Sequence, residues 1–397
     1  MKVPNLLLPL IILMLGLSAC SSETQSAEQQ SQATEMADNQ YFAEPGEPTD
    51  VIQTEEHSVF VETVVEGLGV PWGMAFLPTG SVLVTEREGT IRIVENGALR
   101  EEPLSGAPEV LAENQGGMFD LALHPNYDEN GWIYLSFSKP GTDGGSMTSI
   151  ERMKLDGYEL VGREEIYTGN EFTDIGRHFG GRIAFDGEGY LYFTIGDRGE
   201  RNKAQDLSLS NGNVFRFNDD GSIPEDNPFV GEDGLDEIYS YGHRNIQGMS
   251  VHPETGEIWT NEHGARGGDE INNPQPGMNY GWPEITHGVN YDGSEITPDT
   301  ARAGMEQPVL HWTPSIAPSG MAFVTGERYP NWTGNILNGA LRGQVIARVV
   351  IENGEAVHEE RMLEEYGRIR EIEMGPDGYI YFTNESEGTV NRIVPVE

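Results

Sequence analysis

Ile183-Ala184-Phe185-Asp186-Gly187-Glu188-Gly189-Tyr190-Leu191-Tyr192-Phe193-Thr194 holds the pattern that decides the architecture. An apolar-small-apolar triplet leads into a Gly-centred turn, and the turn leads into an alternating run of β-branched and aromatic residues. The triplet recurs, usually with a Pro- or Gly-centred turn, as Met74-Ala75-Phe76-Leu77-Pro78, Leu121-Ala122-Leu123-His124-Pro125, Met249-Ser250-Val251-His252-Pro253, Met321-Ala322-Phe323 and Ile372-Glu373-Met374-Gly375-Pro376. Alternating runs follow at Ser81-Val82-Leu83-Val84-Thr85, Glu257-Ile258-Trp259-Thr260 and Gly378-Tyr379-Ile380-Tyr381-Phe382-Thr383. Period-two patterning marks strands, and the copies lie about 60 residues apart, enough for a four-stranded blade plus loops. No long stretch keeps a helical period. The expected fold is all-β, a six-bladed β-propeller of four-stranded antiparallel sheets. Val59–Val65 and Val390–Val396 are placed to pair and close the ring, which removes two exposed sheet edges.

Composition agrees. Fifty glycines in 397 residues suit a turn-rich β protein. The net charge of −41 excludes nucleic acid and anionic membrane surfaces as natural partners. Acidity of this size keeps a body soluble, in salty surroundings included; attraction of divalent cations is the other reading.

The N-terminus carries an address. Lys2 precedes the apolar run Leu6–Leu17, which ends Leu17-Ser18-Ala19-Cys20. The run is too short for a usual membrane span and reads as a signal peptide over residues 1–20. Its end is similar to a bacterial lipobox, with Cys20 as the lipidated residue. Cys20 is the only cysteine, so no disulfide forms within one chain. Ser21 after it points to an exported lipoprotein on the periplasm-facing outer membrane or cell surface, touching the membrane only through an N-terminal lipid anchor. Residues 21–57 are rich in Ser, Gln, Glu and Thr and read as a flexible linker. The folded domain is expected over 58–397.

Several strands end in polar clusters: Ile195-Gly196-Asp197-Arg198-Gly199, Asn261-Glu262-His263-Gly264-Ala265 and Asn384-Glu385-Ser386. Equivalent positions of successive blades lie on one ring about the axis, so these groups are expected to converge at one mouth of the channel. Ordinary Asx turns are the plainer alternative. His178 lies in Gly176-Arg177-His178-Phe179-Gly180-Gly181-Arg182 just before the third triplet, where an imidazole can act as a general base. Asp197, one strand and one turn later, can orient it. Arg244-Asn245 holds the matching place before the fourth triplet. Arg368 and Arg370, with period two, share a strand face before the sixth, and Arg342 precedes the apparent strand 344–350. Arginines aimed at one channel form an anion site; surface salt bridges with the many carboxylates are the alternative for each alone.

The ordered set Gln115-Gly116-Gly117-Met118, His178-Phe179-Gly180-Gly181-Arg182, Ile195-Gly196-Asp197-Arg198-Gly199, Gly242-His243-Arg244-Asn245, Gly264-Ala265 with Asp269-Glu270-Ile271-Asn272, and Asn279-Tyr280-Gly281-Trp282-Pro283 resembles the soluble glucose/sorbosone dehydrogenase family. Within it the chain is most similar to the aldose sugar dehydrogenases that use pyrroloquinoline quinone. The resemblance spans about Val59 to Val396. It implies a six-bladed propeller and a cofactor with an ortho-quinone and three carboxylates. It implies that Gln115, His178, Arg244, Asn245, Arg342, Arg368 and Arg370 contact that cofactor. Arg342 stands where some relatives carry lysine. The backbone carbonyls of Gly264 and Ala265 would bind calcium, and Ala265 departs from the Gly-Pro common there. Glu270 and Tyr280 match a second calcium site; hard oxygen donors suit that ion. The implied reaction oxidises an aldose at its anomeric carbon to an aldonolactone, with His178 as base, Asp197 as its orienter and Arg244 stabilising negative charge. Electrons pass to an external acceptor. Two rivals use the same scaffold. One is a calcium-dependent lactonase or other hydrolase, which needs channel carboxylates and no anion-binding arginines. The other is a non-catalytic surface binding protein.

Overall fold

The computed structural model describes residues 41–396. The signal peptide, Cys20 and the first half of the linker lie outside the described residues. Six antiparallel sheets are arranged as the sequence predicts. From the axis outward, blade one is Pro71–Phe76, Val82–Glu86, Thr90–Glu95 and Ala98–Leu99. Blade two is Met118–Leu123, Trp132–Pro140, Ser146–Asp156 and Glu159–Thr168. Blade three is Ile183–Phe185, Leu191–Ile195, Asn213–Phe217 and Ile238–Tyr241. Blade four is Ile246–Val251, Ile258–Glu262, Asp269–Asn272 and Leu310–Trp312. Blade five is Pro318–Phe323, Ile336–Ala340, Ile346–Glu352 and Glu355–Met362. Blade six is Ile369–Met374, Ile380–Asn384, Thr389–Pro395 and Ser58–Val65. Each innermost strand neighbours the next, and blade six returns to blade one. The expected closure is present: Val59 pairs with Pro395, Phe60 with Val394 and Thr63 with Asn391.

Each alternating run sends its apolar residues to both faces, because each blade is buried between two others. The hydrophobic core is accordingly divided into wedges. Between blades two and three, Tyr134, Met147 and Ile150 meet Phe193, Phe215 and Phe217. Between blades five and six, Tyr329, Trp332 and Leu337 meet Ile372, Ile380 and Phe382.

The linker differs from expectation. Its second half packs on the body. Tyr41 and Phe42 are buried, with their rings 5.1 Å from Phe76 and 5.4 Å from Tyr381. Ile52–Gln53 adds a fifth strand to blade six, with Ile52 opposite Val59. Average composition hid this, because a few apolar residues in a polar stretch suffice to dock it. Ile52→Ala is expected to cost about 1–2 kcal/mol, the transfer term for a half-buried aliphatic side chain. A urea titration checks it; an unmoved midpoint would mean that this strand adds nothing to the body.

Candidate active site

The two ends of the six innermost strands each open into cavities. At one end the triplets themselves, including Met74, Met249, Met321 and Met374, line a cavity of about 460 Å³. At the other end two adjoining cavities, of about 290 and 260 Å³, share Gln115 and are lined by polar groups. An ionic knot lines the cavity of about 460 Å³. Arg182 of blade three, only 3% exposed, donates to Glu371 of blade six and to the Gln247 carbonyl at 2.5 Å, with Asp120 of blade two 3.6 Å away. Its guanidinium also lies 4.2 Å from the centre of the Trp72 ring.

The 260 Å³ cavity holds His178, Asp197 and Arg244, with Gln115, Ala265 and Trp282 among its walls. His178 Nδ1 and Asp197 Oδ1 are 2.6 Å apart. Asp197 also accepts from the Gly199 N–H at 2.6 Å and, on Oδ2, from the Trp282 indole at 2.8 Å. Burial alone would raise the Asp197 pKa. The hydrogen bond and charge of His178, with Arg244 beyond, outweigh it and hold the carboxyl below the usual range. An ionised Asp197 accepts, so His178 donates from Nδ1, and Nε2 is the ring nitrogen left for a ligand. Burial is the main cause that lowers the His178 pKa; Asp197 opposes it and Arg244 adds to it. The histidine is therefore neutral at neutral pH and able to take a proton.

Local backbone sets this geometry. His178 sits at φ +54°, a conformation uncommon outside glycine. It is fixed by its own N–H, which donates to Gln115 Oε1 at 2.9 Å. A Cβ on Gly196 would stand 2.4 Å from the His178 carbonyl oxygen, so only glycine lets the two loops meet. Arg198, fully buried, stacks 3.5 Å over the Phe179 ring and donates to the Arg177 and Ile175 carbonyls, clamping the loop that carries the histidine.

The 290 Å³ cavity gathers Gln115, Asn245, Arg368 and Arg370, together with Arg87, Gln247, His263 and Glu385. Trp72, Phe119 and Phe179 form an aromatic cluster on its wall. Arg368 and Arg370 do share a face, and both pair with Glu385, at 3.3 and 2.9 Å. One carboxylate thus serves two arginines, with Arg87 nearby, and the cavity keeps an excess of positive charge. Arg244 leaves its Nε buried without a partner, while one Nη donates to the His263 carbonyl at 2.9 Å. Arg342 is not part of this set. It is exposed and lines neither cavity; its neighbour Leu341 faces the mouth instead. The turn after Ile336–Ala340 causes this by tying the Leu341 and Arg342 N–H groups to the Ala317 and Ile316 carbonyls.

Gly264 and Glu270 lie in a third, narrow recess with Glu262 and Tyr280, whereas Ala265 faces the histidine cavity. Asp269 holds this loop, accepting from the N–H groups of Gly264, Ile316 and Ala317 at 2.8–2.9 Å. A Cβ on Gly264 would fall 2.3 Å from the Gly267 and Gly268 carbonyl oxygens. Glu262 is committed to His243 Nδ1 at 2.9 Å and to the Arg244 N–H at 2.5 Å. Burial, then the Glu262 charge, push the Glu270 pKa up to about 8. The Tyr280 hydroxyl donates to the Asn273 carbonyl at 2.7 Å and accepts from the Gln275 N–H, so it is already satisfied.

A family model described as Glucose / Sorbosone dehydrogenase matches residues 68–392. The chain belongs to this family. It is 42% identical over 347 residues to the aldose sugar dehydrogenase YliI of Escherichia coli, covering 85% of this chain and 93% of that protein. The crystal structure of the soluble aldose sugar dehydrogenase of E. coli in the apo-form superposes with a TM-score of 0.82 at 40% identity, over 85% of this chain and all of that one. The pyrroloquinoline-quinone-bound aldose sugar dehydrogenase of Streptomyces coelicolor superposes with a TM-score of 0.73 at 29% identity, over 87% of this chain and all of that one.

Within the family frame, reading from the sequence missed three contributors to the mouth, Trp72, Arg87 and Gln247. Trp72 lies in the first innermost strand, Arg87 directly follows the second strand of that blade, and Gln247 lies two residues past Asn245. His263, from the Asn261–Ala265 cluster, is partly buried, its pKa lowered to about 3 by desolvation and then by the Arg244 and Arg370 charges. The position that located Arg370, two residues before a triplet, would have flagged Trp72 and Gln247 as well.

Proposed function

We propose that this protein oxidises aldose sugars at the anomeric carbon to aldonolactones, using pyrroloquinoline quinone and calcium and passing the electrons to an external acceptor. The observation that carries the reading is the His178–Asp197 pair opening into a cavity that adjoins an arginine-rich, aromatic-walled one through Gln115. The residues present fit the cofactor. Arg368 and Arg370 share one carboxylate, the Arg244 Nε lacks a partner, and Gln115, Asn245 and Gln247 offer amides. That donor set suits a flat anion bearing several carboxylates, and Trp72, Phe119 and Phe179 suit its rings. Bound there, the quinone would supply the two-electron acceptor. The Glu262–Glu270 recess fits a cation: a buried carboxyl raised by its neighbour's charge is the environment a divalent ion relieves. Gly264 and Ala265 would contribute backbone carbonyls. Tyr280 would act through its backbone, its hydroxyl being engaged.

His178 Nε2 takes the proton of the anomeric hydroxyl as hydride leaves the carbon. Asp197 keeps Nδ1 protonated and balances the imidazolium that forms. Arg244, over the Trp282 ring at 5.3 Å, faces the same cavity and stabilises negative charge that develops there. A channel hydrolase is disfavoured because Asp120 and Glu371 are tied to Arg182. The test is spectroscopic. Cofactor-free protein is mixed with pyrroloquinoline quinone and calcium, and an aldose is added. Reduction of the quinone in one turnover is expected, with continuous turnover once a dye acceptor is present. A spectrum left oxidised by a panel of aldoses would sink the reading.

A further inference from the structure

Trp282 is 7% exposed and borders both the histidine cavity and the Glu262–Glu270 recess. Its indole N–H donates to Asp197 Oδ2 at 2.8 Å, while Asp197 Oδ1 is shared by His178 and the Gly199 N–H. A carboxylate turns freely about its last bond unless both oxygens are held. Here the loop donor and the indole hold one oxygen each, and the face left to the imidazole is fixed. The tryptophan is itself immobile. Its backbone N–H donates to the Gly242 carbonyl at 2.8 Å, and its backbone carbonyl accepts from Gln205 Nε2 at 2.8 Å. Arg244 and Arg201 lie 5.3 and 5.8 Å from its ring centre.

We propose that Trp282 is a positioning residue for the His178–Asp197 pair, its indole N–H fixing the carboxylate so that Oδ1 is kept for the imidazole. The role rests on the dehydrogenase reading only in making that pair catalytic. Removing the donor has two consequences. Oδ2 becomes a buried acceptor without a partner, so the carboxylate, still paired with the imidazole, is free to tilt and misaims Nε2. The Asp197 charge is also less dispersed, so the imidazolium is better stabilised and the histidine titrates higher.

Trp282→Phe keeps a ring and removes the N–H. In cofactor-free protein, the ¹⁵N resonances of the His178 imidazole should titrate about half a pH unit or more above the parent. In reconstituted enzyme, turnover at neutral pH should fall about tenfold, the acid limb of the pH profile should move upward with the imidazole, and KM should change less than about twofold. Trp282→His returns a ring N–H and should bring the midpoint back toward the parent, while Trp282→Leu, which carries no donor, should not. This second pair decides the matter if the Phe variant folds poorly. A purely structural role predicts lower melting temperatures for all variants with the His178 midpoint unmoved, and that result would overturn the proposal. Absence of sugar oxidation by the parent would instead overturn the dehydrogenase reading, and the imidazole titration would still decide whether Trp282 positions the pair.

Discussion

His178→Ala is expected to lower turnover with an aldose at least about 100-fold, the usual worth of a positioned general base, while cofactor affinity changes by less than about threefold. The asymmetry follows from the geometry. The imidazole presents one nitrogen to the cavity and commits the other to Asp197. The anion-binding groups belong to the adjoining cavity, and the link to Gln115 runs through the His178 backbone N–H, which alanine retains. Alanine at φ +54° adds strain, so His178→Asn, better tolerated in that conformation, is the control. The pH profile gives a second check. A folded-state pKa below the ordinary 6.5 means that the base stays unprotonated down to that region, so the acid limb of the parent should lie below the ordinary histidine value. Full turnover of both variants would remove His178 from the mechanism.

The same geometry shows how far a single sequence reaches. The blades were legible because the triplet and its turn recur, and a recurring unit fixes where each innermost strand starts. From that, His178, Arg244, Asn245, Arg368 and Arg370 could be placed near one mouth, and the structure puts them there. Position along a repeat says nothing about which groups pair across the ring. Arg182 finds Glu371 from the far side of the channel, and no local pattern announces that contact. The Trp282 indole reaches Asp197 from the long loop between the third and fourth strands of blade four. Its hydrogen bond could not be read from spacing. Arg342 was placed with the channel arginines because it precedes the strand 344–350 and by family position, and a turn carried it outward. Tyr41 and Phe42 escaped because a compositional average weighs a docking pair no more than the polar residues around it.

Arg370→Ala is expected to weaken pyrroloquinoline quinone binding about 100-fold, within the range for truncating one partner of a buried, hydrogen-bonded charge cluster. Arg370 donates through Nε and Nη2 to Glu385 at 3.0 and 2.9 Å and through Nη1 to Gln247 at 3.0 Å. Its guanidinium lies 5.3 Å from the Trp72 ring centre. Removing it withdraws a cation and also leaves Glu385 with Arg368 alone, in a cavity meant for an anion. Burial would raise the Glu385 pKa, but the Arg370 and Arg368 charges outweigh it and hold the carboxyl below its ordinary value. That carboxylate is therefore charged at neutral pH, and in the variant it repels what the cavity should attract. The repulsive part is separable. Glu385→Gln in the Arg370→Ala background should recover about tenfold in affinity, because the amide keeps a polar contact for Arg368 without the charge. The loss should change little with salt, since the buried cluster is poorly screened. Equilibrium titration by quinone absorbance measures all four proteins of the cycle. Unchanged affinity in Arg370→Ala would mean that the arginines serve Glu385 and the fold rather than an anion. A double variant no better than the single one would show that lost contacts, not the stranded carboxylate, account for the whole effect.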